Sequence, residues 1–250
     1  MTRIIALVNQ KGGVGKTTCT INIGAGLSAQ LKRVLLLDLD PQGNMTAGLG
    51  IDAATLPATI YETLKGECAP QDAIITNTYD ILPADIRLSA ADMELANVPG
   101  REFLLKETLS VFTNYDYILI DCPPSLSLLT LNALTAASEI FIPLQAEFYA
   151  LHGMSQLLKT IEAVQKRLNH TLSITGIIIT LFDSRKKLNR EVMDKIQEHF
   201  PDRMFKTPIR NAVALAEAPG HRQNIFCYRP DSNGALDFQM LCNEIIQQEQ

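Results

Sequence analysis

Short apolar runs recur along the chain, and they predict strands that are buried on both faces. They occupy residues 4–8, 34–37, 117–120, 140–144 and 174–179, with a weaker candidate at 79–83. The first run shows no alternation of polar and apolar residues, and the other clear runs repeat its pattern. Unbroken runs of this length are typical of a parallel sheet that is covered on both sides.

Helical patterns separate most of these strands, for example at residues 16–30, 153–168 and 188–199. Strand–helix alternation implies right-handed crossovers, and so an α/β fold with a doubly wound, mostly parallel sheet and helices on both faces. Ligands of such sheets bind at the carboxyl ends of the strands. No linker, repeat or low-complexity tract interrupts the pattern, so we expect a single domain over residues 1–250.

Composition narrows the functional classes. Hydrophobic residues make up 46% of the chain, and the five cysteines include no Cys-x-x-Cys pair, which favours reduced thiols in a cytoplasmic protein over a disulfide frame. No apolar run approaches the length of a membrane span, and the amino terminus lacks a signal-peptide charge pattern. The net charge of −5 means that any binding to nucleic acid requires a local basic patch.

The first predicted strand is followed by a glycine-rich loop and then by a helix, which is the context of a phosphate-binding loop. Glycines let backbone N–H groups turn towards an anion, and the start of a helix attracts negative charge. A lysine at the end of such a loop reaches the terminal phosphates, and the hydroxyl beside it binds Mg²⁺. The residues that supply these groups are Gly12, Gly13, Val14, Gly15, Lys16, Thr17 and Thr18.

One departure from the general loop pattern is informative. Gln10 stands where the pattern has its first glycine, and a second lysine, Lys11, follows it. One loop does not need two lysines to wrap one set of phosphates, so we expect Lys11 to project outward and reach phosphates bound by a second copy of the protein. The alternative is an ordinary solvated surface lysine.

The stretch 11–18 resembles the deviant Walker A motif of the ParA/MinD family of P-loop NTPases, and the ParA/Soj branch in particular. Further segments that match this branch lie at residues 38–44, 121–125, 145–151 and 215–219. The resemblance covers nearly the whole chain. It implies an ATPase that binds ATP and Mg²⁺ and forms a homodimer with ATP bound.

Two carboxylates are the candidates for the chemistry. Phosphoryl transfer needs little covalent help, so Asp40 beside Mg²⁺ would position the attacking water; the alternative is a strand-end aspartate that caps the next turn. Asp121 ends an apolar strand, as a Walker B aspartate does, and would hold Mg²⁺ through water together with Thr17. Asp38 is either a supporting partner or simply structural. The resemblance places the adenine base against residues 207–211, where Pro208 and Asn211 are the candidate contacts.

A local excess of positive charge follows later in the chain. Residues 183–229 contain ten Lys or Arg and six Asp or Glu. On charge alone this is as consistent with a solvated helix face as with contacts to DNA phosphates. The resemblance implies nonspecific DNA binding through Arg185, although a second family arginine is replaced by Ala214. The candidate DNA-binding residues are Arg185, Lys186, Lys187, Arg190, Arg210 and Arg222.

Taken together, the resemblance implies a nucleoid-associated ATPase that partitions a chromosome or plasmid with a ParB-like activator. Two alternatives remain open: an ATPase that positions a cargo other than DNA, and a P-loop metabolic or assembly enzyme such as a cofactor-amidating ligase. Attachment to a membrane is disfavoured, because residues 241–250 carry two glutamates and neither lysine nor arginine, whereas an amphipathic membrane anchor is basic.

Overall fold

A parallel sheet forms the centre of the molecule, for which a computed structural model describes residues 2–147 and 150–249. Within these residues, six strands pair in the order β3-β2-β4-β1-β5-β6, all in parallel. The strands are β1 Arg3–Leu7, β2 Val34–Asp38, β3 Asp80–Leu82, β4 Tyr117–Asp121, β5 Glu139–Gln145 and β6 Ser173–Thr180. The predicted fold class is confirmed.

Every predicted strand is present, with small differences at the ends. The weak candidate at residues 79–83 is reduced to Asp80–Leu82, an edge strand that pairs with β2. The following residue, Pro83, has no backbone N–H and cannot extend the ladder as a donor.

Helices connect the strands and cover both faces of the sheet. They are α1 Lys16–Ala29, α2 Asn44–Gly48, α3 Ile60–Lys65, α4 Ala91–Glu94, α5 Leu104–Ser110, α6 Leu128–Ala136, α7 Ala150–Arg167, α8 Lys187–His199, α9 Val213–Glu217, α10 Ile225–Tyr228 and α11 Asn233–Gln247. The three predicted helices correspond to α1, α7 and α8. Across the described part of the chain, no helix combines the length and the apolar character needed to cross a bilayer.

Successive residues of each strand enter two different hydrophobic cores, because side chains alternate between the faces of a sheet. Leu35 and Leu37 of β2 pack in the core that contains residues of α3, α5, α6 and α7. Leu36 packs in the second core, with residues of α1 and α11. Helix α1 lies so close to the sheet that a Cβ atom at Gly24 would stand 2.5 Å from the Leu36 side chain. This packing fixes the start of α1 above the edge where the strands end.

Three neighbouring strands end at the same level. Asp121 at the end of β4 is in register with Leu7 of β1 on one side and with Asp38 of β2 on the other. The glycine-rich loop leaves β1 at this point and runs into α1. The topology therefore brings the loop and both strand-end carboxylates to one edge, as the strand pattern predicts.

Candidate active site

The loop between β1 and α1 has the backbone of a phosphate cradle. Gly13 and Gly15 adopt φ values of +75° and +86°, which side-chain-bearing residues rarely adopt. A Cβ atom built on Gly12 or Gly13 would meet no protein atom within 4 Å, so open space adjoins the loop. Helix α1 begins at Lys16, and its first N–H groups have no partners within the helix. Loop and helix start together fit an anion such as a phosphate.

Lys16 is held over this loop. Its side chain is buried, and its Nζ lies 3.5 Å from the carbonyl oxygen of Lys11. Burial lowers the pKa of the Lys16 amine, while the carboxylates of Asp121 and Asp40 act in the opposite direction. The amine therefore lies between the loop and two acidic groups, where it can balance the charge of a bound phosphate.

Thr17 and Asp121 form the centre of the acidic side of the site. The Thr17 hydroxyl donates a 2.7 Å hydrogen bond to Asp121 Oδ2, and the Thr20 hydroxyl lies 3.4 Å from Oδ1. Asp121 is fully buried, and this burial, with the neighbouring charge of Asp38, raises the pKa of its carboxyl. A buried carboxylate is costly without a compensating cation, so this group is suited to a site that a cation enters.

The oxygen atoms present fit Mg²⁺ bound together with a phosphate. Hydroxyl and carboxylate oxygens are the ligands this ion prefers, and it usually keeps several waters beside one or two carboxylates. Among the residues that the structure describes, no three His, Cys, Asp or Glu side chains converge to hold an ion alone. The site therefore suits an ion that phosphate oxygens and water help to bind, and does not resemble an all-protein metal cage.

Asp40 combines the two roles that the sequence leaves open. Its Oδ1 accepts a 3.0 Å hydrogen bond from the backbone N–H of Gln42, so it caps the following turn. It also lines the cavity at the phosphate loop together with Lys16 and Thr17. Asp38 holds the Asp40 backbone: its Oδ1 accepts a 3.1 Å hydrogen bond from the backbone N–H of Asp40. The position of Asp40 is thus fixed by backbone contacts while the residue stays at the cavity wall.

Two cavities meet at the phosphate loop and share Gly13, Gly15, Thr18 and Leu215. The larger, about 530 Å³, contains the loop glycines and Asp40 in its wall. The smaller, about 140 Å³, has Asn211 in its wall. A ligand with its phosphates on the loop has space for an organic group on this second side, where the predicted adenine contact Asn211 lies.

The two predicted adenine contacts are not placed alike. Asn211 belongs to the wall of the smaller cavity, whereas Pro208 is half-buried and, as far as the described residues show, is outside that wall. Leu181, which is not among the predicted site residues, also lines this cavity. Its φ of +51° is uncommon for a leucine, and no local sequence signal predicts such a backbone.

Lys11 lies beside the loop but is bonded elsewhere. Its amine forms an ion pair with Glu147 and lies 3.4 Å from Gln145 Oε1, both at the end of β5. The side chain is 54% exposed, in contrast to the buried Lys16. Of the sequence motif at residues 145–151, Phe148 and Tyr149 lie outside the described residues.

Four of the predicted DNA-binding residues lie together at the start of α8. Arg185 and Lys186 precede the helix, which begins at Lys187, one residue before the predicted start at residue 188. The Arg185 side chain is 88% exposed, and its guanidinium binds Asp183. Lys187 pairs with Glu191 at 3.3 Å, one helical turn away, and Arg190 is exposed.

The other two lie apart from this group. The Arg210 guanidinium binds the buried carboxylate of Asp237 at 2.5–3.0 Å, so it already has a partner. The Arg222 side chain packs against Gly50, which follows helix α2. Arg185 follows the edge strand β6, which is at the other end of the strand order from β2. The six basic residues therefore do not form one compact patch.

Comparison with known proteins decides the family. A family model described as an AAA domain matches residues 2–174. The sporulation initiation inhibitor protein Soj of Bacillus subtilis is 48% identical over 249 residues, covering 98% of each chain. The chromosome partitioning protein ParA of Caulobacter vibrioides is 42% identical over 99% of this chain and 95% of its own. This chain belongs to the Soj/ParA family of P-loop ATPases.

A solved structure shows the same fold with ligands bound. Cobyrinic acid a,c-diamide synthase from Mycobacterium smegmatis, crystallised with ADP and magnesium, matches with a TM-score of 0.88 and 38% identity. The match covers 99% of this chain and 95% of that chain. The predicted family and fold are thus confirmed for this Soj/ParA member, whereas the roles of its individual site residues stay predictions.

Proposed function

We propose that this Soj/ParA ATPase works as a nucleotide-dependent dimer that holds DNA nonspecifically and partitions a chromosome or plasmid. The observation that carries the proposal is the placement of its two lysines. Lys16 is buried over the phosphate loop, while Lys11 stands at the rim in a solvent-exposed ion pair. Surface pairs of this kind are weak, so Lys11 is free to exchange Glu147 for a phosphate bound by a second copy.

Each subunit would bind one Mg-ATP. The loop residues 12–18 would hold the phosphates, with the Lys16 amine against their terminal oxygens. Thr17, Asp121 and Asp40 would hold Mg²⁺, directly or through water. When bound, the ion neutralises phosphate charge that develops during transfer. The smaller cavity, with Asn211 in its wall, would take the adenine base.

Asp40 is the residue best placed to orient the attacking water. Its carboxyl lines the cavity beside Lys16, and its backbone is fixed by Asp38 and by the turn at Gln42. A rigid carboxylate can hold a water and accept its proton without moving during the reaction. Hydrolysis would be slow in the free chain, because Lys11 of a second copy completes the site only in the dimer.

DNA would be held by the exposed basic side chains at the start of α8. The Arg185 side chain is 88% exposed, and phosphate contacts of this kind bind DNA without reading its sequence. One such patch binds weakly, but two patches in a dimer gain from effective concentration. ATP-dependent dimerisation would thus convert weak binding into retention on the nucleoid.

A ParB-like partner would end this state by stimulating hydrolysis. Loss of the terminal phosphate would remove the anion that draws Lys11 across the interface, so the dimer would separate and leave the DNA. Repeated cycles would move or space a cargo over the nucleoid. The names of two relatives support the partitioning role: the chromosome partitioning protein ParA of C. vibrioides and the chromosome-partitioning ATPase Soj of Treponema pallidum.

A cofactor-amidating enzyme is the second candidate, and one observation favours it. The similar structure from M. smegmatis is named as a diamide synthase. The Soj relative is more similar in sequence, at 48% against 38% identity. The two candidates differ in whether ATP controls binding to DNA.

A DNA mobility assay on the full chain tests the proposal. Duplexes of unrelated sequence are incubated with protein and Mg²⁺ in the presence of ATP, ADP or no nucleotide. We expect retardation of every duplex with ATP alone, and weakening as salt rises. Equal binding in all three conditions, or none in any, would contradict the proposed function.

A further inference from the structure

The loop that carries Arg185 is fastened to the phosphate site at its start. The hydroxyl of Thr180, the last residue of β6, donates a 2.8 Å hydrogen bond to the carbonyl oxygen of Val14 in the phosphate loop. Thr180 is 3% exposed. The loop over residues 181–186 therefore begins from a point that is bonded to the nucleotide site.

The same loop is fastened at its far end by Asn189. This residue lies in the first turn of α8, and its Oδ1 accepts a 2.9 Å hydrogen bond from the backbone N–H of Asp183. Its Nδ2 donates a 2.6 Å hydrogen bond to the carbonyl oxygen of Ala146. Asn189 is buried, so both bonds are shielded from water.

Ala146 is the residue between the two that hold Lys11. Gln145 and Glu147 both place side-chain oxygens at the Lys11 amine. One buried amide thus connects the segment that binds the intersubunit lysine to the loop that carries the exposed arginine.

Asp183, whose backbone N–H Asn189 binds, also binds Arg185 directly. The Asp183 carboxylate accepts a hydrogen bond from the backbone N–H of Arg185 at 3.0 Å and binds Nε and Nη2 of its guanidinium at 2.9 Å each. The N–H of the same aspartate is the one that Asn189 holds. A shift of the Asp183 backbone therefore moves the whole Arg185 side chain with it.

We infer that Asn189 is a positioning residue that couples the location of Lys11 to the availability of Arg185 for DNA. This inference rests on the proposed function and specifies how DNA binding would be regulated in it. When Lys11 leaves Glu147 for the phosphates of a second copy, residues 145–147 lose a cation that orders them. Residues 145–147 and Asn189 then move together, because breaking either buried hydrogen bond of Asn189 would leave a backbone group without a partner. Two arrangements of one connected element are what coupling between sites requires.

Variants of Asn189 in the full chain test the inference. Asn189→Ala removes both bonds, whereas Asn189→Asp keeps the shape and the acceptor for Asp183 but loses the donor to Ala146. Gln197→Ala is the matched control, because it removes a side-chain bond to the Pro201 carbonyl at the other end of the same helix. DNA affinity is measured by fluorescence anisotropy with ATP and with ADP, and hydrogen exchange of residues 183–187 is followed in both states.

We expect the ratio of DNA affinities between ATP and ADP to fall at least about tenfold in both Asn189 variants, a typical size for coupling between two sites. The nucleotide-dependent difference in exchange at residues 183–187 should disappear with it. Binding of a fluorescent ATP analogue should not change, and Gln197→Ala should match the wild type. Because Asn189→Asp nearly preserves the side-chain volume, it decides the matter if Asn189→Ala does not fold.

The inference is wrong if the Asn189 variants keep the wild-type affinity ratio and exchange difference. It is also wrong if residues 183–187 of the wild type exchange alike with ATP and ADP. A wild-type chain that binds no DNA in any nucleotide state refutes the proposed function separately, and the exchange measurement still decides whether the coupling exists.

Discussion

The Thr17 hydroxyl and the Asp121 carboxylate meet at the carboxyl edge of the sheet, 2.7 Å apart and joined by a hydrogen bond. Thr17 belongs to the first turn of α1 and Asp121 to the end of β4. Both residues present oxygens to the same point. The pair therefore links the phosphate loop to the neighbouring strand and defines where Mg²⁺ is expected.

Thr17→Ala should weaken the response to magnesium. Loss of the hydroxyl removes an oxygen ligand and the hydrogen bond that orients Asp121, so the Mg²⁺ concentration for half-maximal ATP turnover should rise by about tenfold or more. Titration of ATPase activity with Mg²⁺ measures this. Thr17→Ser keeps the hydroxyl and should behave as the wild type; an unchanged titration for Thr17→Ala would remove Thr17 from the ion site.

Lys11→Ala should abolish the ATP-dependent dimer and leave ATP binding by the monomer largely intact. The lysine amine contacts its own chain at the surface, through Glu147 and Gln145, so its removal should not disturb the fold. Size-exclusion chromatography with light scattering, with and without ATP, measures the outcome. Lys32→Ala, which breaks a surface pair with Glu249, is the control and should still dimerise. Dimers of Lys11→Ala that persist with ATP would show that Lys11 is not needed across the interface.

Asp40→Ala should trap an ATP-bound dimer. Without the carboxylate the attacking water is not oriented, and turnover should fall by about 100-fold or more, as for other positioned bases. Phosphate release and light scattering, measured on the same sample, should show slow hydrolysis with a persistent dimer. Asp52→Ala, which removes an aspartate that caps an exposed turn, serves as the control. Normal turnover by Asp40→Ala would restrict Asp40 to its turn-capping bond.

Arg185→Glu should lose ATP-dependent DNA retention while keeping ATP turnover. Each phosphate contact contributes about 0.9 to the slope of log affinity against log salt, so the slope should fall by about that amount per lost contact. Anisotropy titrations at several salt concentrations measure it. Arg33→Glu is a matched control, because Arg33 is also an exposed arginine paired with an aspartate, Asp116. Equal effects of the two substitutions would point to general charge repulsion and against a defined patch.

The sheet and the phosphate loop could be predicted from the sequence because local patterns specify them. An unbroken apolar run is buried wherever it lies, and the glycines at 13 and 15 are suited to the backbone angles that the loop adopts. The weak strand at 79–83 also formed, as a short edge strand. The first half of this segment is polar and a proline ends it. Both features can be read from the local sequence, and both are typical of an edge strand.

The partners of the charged side chains could not be predicted in the same way. Lys11 meets Glu147, 136 residues away, and Arg210 meets Asp237, 27 residues away. A count of charges treats Arg185, Arg210 and Arg222 alike. In the folded chain, Arg185 pairs with a surface aspartate, Arg210 pairs with a buried aspartate, and Arg222 lies against Gly50.

By itself, the sequence determined the kind of fold and the family, and it named the candidate phosphate-binding residues, because burial and backbone freedom depend on near neighbours along the chain. Only the tertiary structure decided that Lys11 forms an ion pair with Glu147 and that Asn189 is hydrogen-bonded to both Ala146 and Asp183. These contacts join the ends of separate parallel strands, and strands of a parallel sheet become neighbours only through long crossovers. The phosphate loop is therefore visible in the sequence, whereas the connection from that loop to Arg185 exists only in the folded chain.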